Sequence, residues 1–365
     1  MNSFTEILRH WCGHDREPSA LATVVRTTGS TYRKAGARLL VQAGGRTTGM
    51  VSGGCLERDI ADRAQAVLRS RAPQLVSYDT RRMFGCNGGL EVFIERIPAG
   101  SEDHLLAAVE TGMRRRQTVM GATVFEAAGL PCEVLGSHAL ADRGDTSAAA
   151  CPLPEGMYID GRGAAAADKA LERHYTFSGG TMAALLQTIA PPLRVLIFGA
   201  HPDVPPLAGL CLSLGWQPVV IAHPSQDPPD LPPHCSVMRL VPEEAVNVLA
   251  PDEHTAAVVM THHYGRDLAC LASLLPRPLP YVGLMGPAAR RNQLLAELAE
   301  QGLAIDHPAL EGRLHGPAGL DIGGDGPAEV ALSIAAEIRA VMSGRDGTPL
   351  KHASHSIHVP NFETV

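Results

Sequence analysis

Positive charge is scarce in this sequence: 31 Lys and Arg stand against 38 Asp and Glu, giving a formal charge of −7 and a pI near 6.1. Nucleic-acid and anionic-membrane binders need a basic footprint, so this balance argues against both. Long apolar runs are missing as well. None approaches bilayer length without a Gly, Pro or charge, and Met1 to Trp11 lacks the apolar stretch of a signal peptide, so a cytoplasmic protein is expected. Paired cysteine motifs are absent too. Eight cysteines, at 12, 55, 86, 132, 151, 211, 235 and 270, include no C-x-x-C spacing, which disfavours a disulfide scaffold and a structural zinc site and leaves reduced thiols. What is present is 365 residues, 45% apolar and 19% charged, enough to bury a substantial core in two or three domains.

The most informative stretch is Thr47 to Glu57 (TTGMVSGGCLE). A short extended run breaks into Gly53-Gly54, Cys55 follows, and Leu56, Ile60, Ala64, Val67 and Leu68 recur at helical spacing. This predicts Cys55 in the first turn of a helix running to about Arg71. There the unpaired N–H groups and the helix dipole attract an anion and favour a thiolate, and the glycines let a ligand come close to the backbone. A buried, inert cysteine at a tight joint is the competing reading of the same residues. Gly85-Cys86-Asn87-Gly88-Gly89 lies between two more strand candidates, 74–79 and 90–97. Two glycine-flanked thiols in one small α/β unit could face a common cleft. Arg33, in the turn between strands at 21–27 and 37–42, is either a solvated charge or an anion-binding fork near Cys55.

Residues 4–11 read as a short helix, 105–116 as another and 117–126 as a strand, whereas 139–150 and 164–170 show little periodicity and read as a surface excursion and connector. Pro191-Pro192 marks a boundary. Beyond it, strands at 193–198, 218–222, 236–240, 255–261 and 280–284 alternate with helices at about 206–214, 242–249, 266–275 and 287–301. That alternation implies a doubly wound parallel sheet, closed by a helix over 327–342. The tail with His352, His355 and His358 reads as disordered. The expected organisation is therefore 1–100, a variable segment at 101–190, a Rossmann-like domain at 191–345 and a tail at 346–365.

The first turn of that second domain departs from the dinucleotide fingerprint. Gly199-Ala200-His201-Pro202-Asp203 places His201 where G-x-G-x-x-G has its second glycine, and Ala222-His223-Pro224 offers no acid for a ribose. Ordinary NAD binding is doubtful on both counts. Gly283-Leu284-Met285-Gly286-Pro287, with Arg290 and Arg291 beyond it, and Thr261-His262-His263 keep a character suited to an anionic nucleotide or pterin phosphate at the sheet edge.

The segments TTGSTYRKAGARLLV (27–41), TGMVSGGCLE (48–57), GCNGGLEVFIE (85–95), IFGAHPD (197–203) and RLHGPAGLDIG (313–323) together resemble the XdhC/CoxI family of xanthine dehydrogenase accessory proteins. The resemblance implies an N-terminal α/β cofactor-handling domain and a C-terminal Rossmann-like doubly wound sheet. It implies a maturation factor rather than an enzyme, one that binds the molybdenum cofactor (molybdopterin), supports its sulfuration and delivers it to a xanthine dehydrogenase-type molybdenum hydroxylase. Cys55 and Cys86 would then stand nearest the molybdenum or its sulfur, with Ser52, Gly53 and Gly54 as an anion nest. Arg33, Gly199, Ala200, His262, Gly283 and Gly286 are the remaining candidate contacts. A cysteine desulfurase as second partner and a homodimer are compatible with this reading. An NAD(P)-dependent Rossmann oxidoreductase and a cofactor-free scaffold between a desulfurase and the hydroxylase are the alternatives.

Overall fold

The computed structural model describes residues 3–12, 18–79, 88–99, 105–130, 134–141, 170–177, 179–303, 310 and 312–352. They form two compact units, one within 2–191 and one within 192–365. Among the described residues no helix is long and apolar enough to cross a membrane.

In the first unit, α1 (Ser3–Cys12) buries Phe4, Ile7, Leu8 and Trp11, the i, i+3, i+4, i+7 stripe of an amphipathic helix. A five-stranded sheet has the order β3-β2-β1-β5-β4, with β1 (Ser19–Gly29), β2 (Arg38–Gln42), β3 (Thr47–Gly49), β4 (Gln74–Asp79) and β5 (Gly88–Ile97). Every pairing is antiparallel. Across one face lies α2 (Glu57–Ser70), burying Ile60, Ala64 and Val67 against Ala22, Val24, Leu39 and Val92. It stops where Arg71 turns left-handed (φ 64°) and returns its N–H to the Val67 carbonyl.

The weakly patterned segment after residue 100 holds α3 (Leu105–Arg115) and a second sheet, β7-β6-β9-β8, from β6 (Val119–Ala128), β7 (His138–Ala141), β8 (Leu171–Phe177) and β9 (Gly180–Ile189). The strand expected at 117–126 is β6, and the stretch after Ser178 is one long strand, β9. This sheet repeats the plan of the first. Val24 pairs with Val92 and Val124 with Ala184, and each ladder bulges at the next step, Val24/Arg26 and Val124/Glu126. Val24 exchanges bonds with Ala37 and Gly36, and Val124 does so with Ser137 and Gly136. Positions 24, 36 and 38 are thus equivalent to 124, 136 and 138, and positions 88 and 95 to 180 and 187.

Contacts between the two sheets are reciprocal. Arg38 on β2 donates to the Gln187 side chain on β9, and His138 on β7 meets Glu95 on β5 at 3.0 Å. Val25, Phe125, Phe93 and Leu185, two equivalent pairs, share one apolar cluster. Such i-to-j and j-to-i contacts are the signature of an isologous interface, here inside one chain. Arg38 is wholly buried, stacked over Phe4 at 4.5 Å, and burial pushes its guanidinium down to about 10 against the pull of Glu95. At the join Arg26 gathers the carboxylates of Glu172, Glu126 and Glu91; its bonds hold Glu172 below the usual carboxylate range and raise Arg26 itself.

The second unit is one parallel sheet of β10 (Arg194–Phe198), β11 (Gln217–Ala222), β12 (Ser236–Arg239), β13 (Thr255–Val259), β14 (Tyr281–Leu284) and β15 (Leu314–His315), ordered β12-β11-β10-β13-β14-β15. That is the doubly wound 3-2-1-4-5-6 order, and β10 and β13 are buried throughout because helices cover both faces. α4 (Val204–Ser213) and α8 (Pro327–Val341) pack on one face. α5 (Pro242–Leu249), α6 (Tyr264–Leu274) and α7 (Ala288–Glu300) pack on the other. Pro205 and Pro206 fall within the first turn of α4, where missing N–H groups cost no intrahelical bond, so the helix starts before the expected residue 206. The sixth strand is not among those the sequence pattern predicts. It comes from the RLHGPAGLDIG segment, and Ala318 N–H ties the loop after it to the Leu284 carbonyl at 3.0 Å.

Arg26→Met should destabilise the protein by roughly 2 kcal/mol near pH 7, since hydrogen bonds between charged groups contribute about 1.5–3 kcal/mol. The depressed Glu172 carboxyl stabilises the wild type above the unfolded value near about 4.3, and this is lost as pH falls through the lower folded value. In the variant, acid relieves the repulsion among the three carboxylates. The deficit should therefore shrink from pH 7 to pH 4 in urea denaturation; a constant deficit refutes this account of the join.

Candidate cofactor-binding site

Two places carry the candidate residues, one in each unit. In the first, the chain leaves β3, runs through residues 50–56 and enters α2 at Glu57, so Cys55 precedes the helix instead of standing in its first turn. The helix start is occupied by a carboxylate of the protein itself. Val51 and Ser52 N–H donate to Glu57 Oε1 at 3.1 and 2.7 Å, Leu56 N–H donates to Oε2 at 3.2 Å, and Ser52 Oγ–H donates to Oε2. Ser52 Oγ also accepts from Leu56 N–H at 3.1 Å, and Ser52 is buried. Burial pushes the Glu57 carboxyl up, but the bonds from Ser52 and the backbone outweigh it and hold the group below its ordinary range. The dipole expected to serve Cys55 is thus satisfied by Glu57.

What this clamp leaves over faces solvent. Gly53, Gly54 and Cys55 are all exposed, and their three successive backbone N–H groups have no partner among the described residues. Gly54 has φ +103°, a conformation that a side chain would strain. Cys55 carries a free, exposed thiol, whereas burial pushes Cys211 up to about 12 and raises Cys270 well above the ordinary thiol range. The Tyr32 ring, 63% exposed, lies 3.8 Å from where a Gly53 Cβ would stand, so the turn between β1 and β2 closes on this loop. Arg33, next to Tyr32, is half-buried and has no ion pair among the described residues. Cys86 lies outside the described residues. Sequence reasoning missed Glu57 and Tyr32, although both stand inside quoted motifs: an acid at a helix start and an aromatic in a loop were the available signals.

In the second unit the candidates gather at the carboxyl ends of β10 and β13, where the strand order reverses and doubly wound sheets bind ligands. Gly199 follows β10, and a Cβ there would stand 2.5 Å from the Met260 carbonyl just after β13, so its smallness serves the packing of the two strand ends. Ala200 is half-buried beside it. His201 Nε2 bonds the Thr261 carbonyl at 3.0 Å, and His262, left-handed at φ 53°, bonds Asp203 Oδ2 through Nε2 at 2.7 Å. Asp203 is also the N-cap residue of α4, where its side chain makes no capping bond and its Oδ1 is buried with no partner among the described residues. A carboxylate therefore stands at the helix end where a pyrophosphate would sit.

The neighbouring turn is committed internally. Gly283 lies within β14, its missing side chain filled by Tyr281 and Ala318, and so lines no crevice. Gly286 (φ +117°) makes the turn into α7 under the Arg290 side chain. Arg290 forks onto the buried Asp267 at 2.6 and 3.1 Å, Asp267 in turn accepts from Thr261 Oγ–H, and Arg291 donates to the Gly316 carbonyl at 2.7 Å. The two arginines expected to meet an anion are thus spent on the fold.

A doubly wound unit in dinucleotide-fold order, whose first turn lacks the pyrophosphate chemistry, is joined in one chain to an α/β unit that presents a thiol on a backbone nest. Family models match both parts: residues 195–338 match the XdhC Rossmann domain and residues 12–79 the XdhC and CoxI family. The chain is 32% identical over 339 residues to a probable xanthine dehydrogenase subunit of Bacillus subtilis (strain 168), covering 89% of this chain and 93% of that protein. It is 24% identical over 357 residues to the YqeB protein of Escherichia coli (strain K12), covering 97% of this chain and 49% of that one. A crystal structure of a xanthine dehydrogenase from Bacillus halodurans superposes with a TM-score of 0.73 at 26% identity, over 96% of this chain and 99% of its own. The chain belongs to the XdhC and CoxI family.

Glu57→Gln removes one of the two charged acceptor oxygens without changing the shape of the side chain. Amide exchange at Val51, Ser52 and Leu56 should speed up by about tenfold, the equivalent of ~1.4 kcal/mol, with little change in global unfolding. In the wild type the same protection should be lost as pH falls through the depressed Glu57 value and be present above about 4.3. Unchanged exchange in the variant would show that another contact holds the loop.

Proposed function

We propose that this protein is an accessory factor for a xanthine dehydrogenase-type molybdenum hydroxylase, holding the molybdenum cofactor at the 52–55 loop and handing it on in its sulfurated form. The observation that carries the proposal is the exposed Cys55 thiol beside three backbone N–H groups that have no partner among the described residues. Molybdenum is a thiolate-tolerant centre and a pterin cofactor carries a phosphate, so one loop offers a partner to each end of such a ligand. Family membership and the names of the relatives support the choice of partner enzyme.

The residues fit this group in a definite way. The Gly53, Gly54 and Cys55 N–H groups would take the anion, the thiol would meet the metal or its sulfur, and the exposed Tyr32 face would cover a flat ring system. Bound there, the cofactor supplies the redox centre that the hydroxylase uses; the chain itself binds, orients and releases it. Glu57 keeps the loop shaped in the absence of ligand, so little ordering cost falls on binding. Cys86 belongs to the proposal as a second thiol on the strength of the motif alone. A dinucleotide fits the second unit poorly, because Asp203 places a negative charge at the α4 N-terminus and His201 fills the place of the second glycine.

The test is molybdenum and pterin content of anaerobically purified wild type, Cys55→Ser and Cys86→Ser, with activation of apo-hydroxylase measured alongside. Cys55→Ser should lose most of its molybdenum and at least tenfold in activation. Wild type without molybdenum or pterin would favour a cofactor-free scaffold, and full activity in both variants would remove the thiols from the site. Titration with NAD(P) followed by Trp11 and Trp216 fluorescence should show no saturable binding; tight binding would turn the assignment to an oxidoreductase.

A further inference from the structure

We infer that His262 and Asp203 form an acid–base dyad at the switch-point crevice of the second unit, one that activates water for attack on the acyl carbon of an uncharged ester. The inference goes beyond the cofactor role proposed for the 52–55 loop and concerns other residues in the other unit.

The pair has the polarity of a base and the carboxylate that orients it. A carboxylate accepts, so His262 donates from Nε2 to Asp203 Oδ2 at 2.7 Å. The neutral ring then carries its lone pair on Nδ1, which has no partner among the described residues. The Asp203 side chain is 14% exposed and that of His262 46%. The carboxylate is thus sheltered while the ring reaches solvent. In that arrangement the carboxylate sets the tautomer of the imidazole and stabilises the imidazolium that forms on it.

A surface ion pair would need none of what surrounds this one. Asp203 stands at the N-cap of α4 yet makes no capping bond, and its Oδ1 is buried with no partner among the described residues. No other donor among those residues shares its charge with the His262 ring. His262 is left-handed at φ 53°, a sparsely populated conformation that collects at functional sites. His201 supports the same stretch of chain. It donates from Nε2 to the Thr261 carbonyl at 3.0 Å, and its ring meets that of His262 edge to face, with centroids 4.9 Å apart. The dyad lies where the sheet reverses its strand order, the place at which doubly wound sheets bind ligands.

The charge of the crevice selects the substrate. Pro205 and Pro206 remove two N–H groups from the first turn of α4, and Asp203 adds a negative charge there. Arg290 and Arg291 are held by Asp267 and by the Gly316 carbonyl. An anion is therefore repelled, whereas an uncharged carbonyl compound is not. Water at Nδ1 gives that atom a proton as its oxygen bonds to the acyl carbon. The bond from that carbon to the alkoxy oxygen then breaks, and the proton passes from Nδ1 to the leaving oxygen, so that ester and water become acid and alcohol. Asp203 keeps its charge throughout.

The test uses p-nitrophenyl acetate and p-nitrophenyl phosphate with the full-length chain carrying Cys12→Ser, Cys55→Ser and Cys86→Ser, which removes thiols that would attack the acetate. This parent should turn over the acetate, more slowly in deuterium oxide than in water, and leave the phosphate intact. A positioned base contributes about 10²–10⁴-fold, so kcat should fall at least about tenfold in His262→Gly with little change in KM. Glycine suits the left-handed backbone there, and added imidazole should restore part of the rate. Asp203→Asn should lower kcat to a similar degree by favouring the wrong tautomer. Replacing His352, His355 and His358 by Ala should change nothing. Equal kcat in the parent and in His262→Gly overturns the inference, as does a parent with no turnover, preference for the phosphate, or a loss confined to the tail variant. If His262→Gly fails to fold, unchanged kcat in Asp203→Asn overturns it.

Discussion

Two copies of one β unit packed face to face bring equivalent positions together, and equivalent residues of one charge would meet and repel. The N-terminal unit satisfies this constraint with Arg26 opposite Glu126, the same position in the two copies, each set at the same bulge of its ladder. The buried pairs follow the same divergence: Arg38 with Gln187 in one direction, His138 with Glu95 in the other. Reciprocal geometry with unlike chemistry lets the copies stay locked together while the first carries the Gly53-Gly54-Cys55 loop. The second copy gives the first sheet a covered face, and it is from that sheet that β3 delivers the loop.

The loop itself resolves a conflict between order and access. A thiol packed into a core is well placed but chemically silent, as burial makes Cys211 and Cys270. A thiol on an open loop is reachable but poorly positioned. Glu57 separates the two requirements by tying down residues on either side of the exposed stretch, Val51 and Ser52 before it and Leu56 after it. The three residues between are fixed at both ends, and their N–H groups have no partner among the described residues.

Much of this was legible in the sequence because it rests on periodicity. The 3.6-residue spacing of Ile60, Ala64 and Val67 marked α2, and alternating short apolar runs and amphipathic stretches marked the doubly wound sheet. What escaped were features set by tertiary pairing. Arg290 looked available for an anion until folding brought the buried Asp267 against it. Glu57 drew no reading of its own because the groups that bond it lie on the turn before it. β15 is two residues long, too short to show any period, and its place in the sheet depends on Val282 and Gly283. The internal repeat was faintly visible, with Ala22-Thr23-Val24 returning as Ala122-Thr123-Val124 and Gly29 and Gly36 as Gly129 and Gly136, but so few identities carry little weight until the ladders are seen to bulge at the same step.

Gly199 invites a different view of partial motifs. A side chain at that residue would be driven into the Met260 carbonyl, so it would force apart the two central strands of the sheet. The demand comes from β13 and would persist if no nucleotide had ever bound this domain. The first glycine of a dinucleotide fingerprint can thus be an architectural residue, held in place by the width of the sheet, while the positions that speak to a pyrophosphate drift to histidine and aspartate. Its survival in this chain records how closely β10 and β13 approach, and tells nothing of what the crevice above them holds.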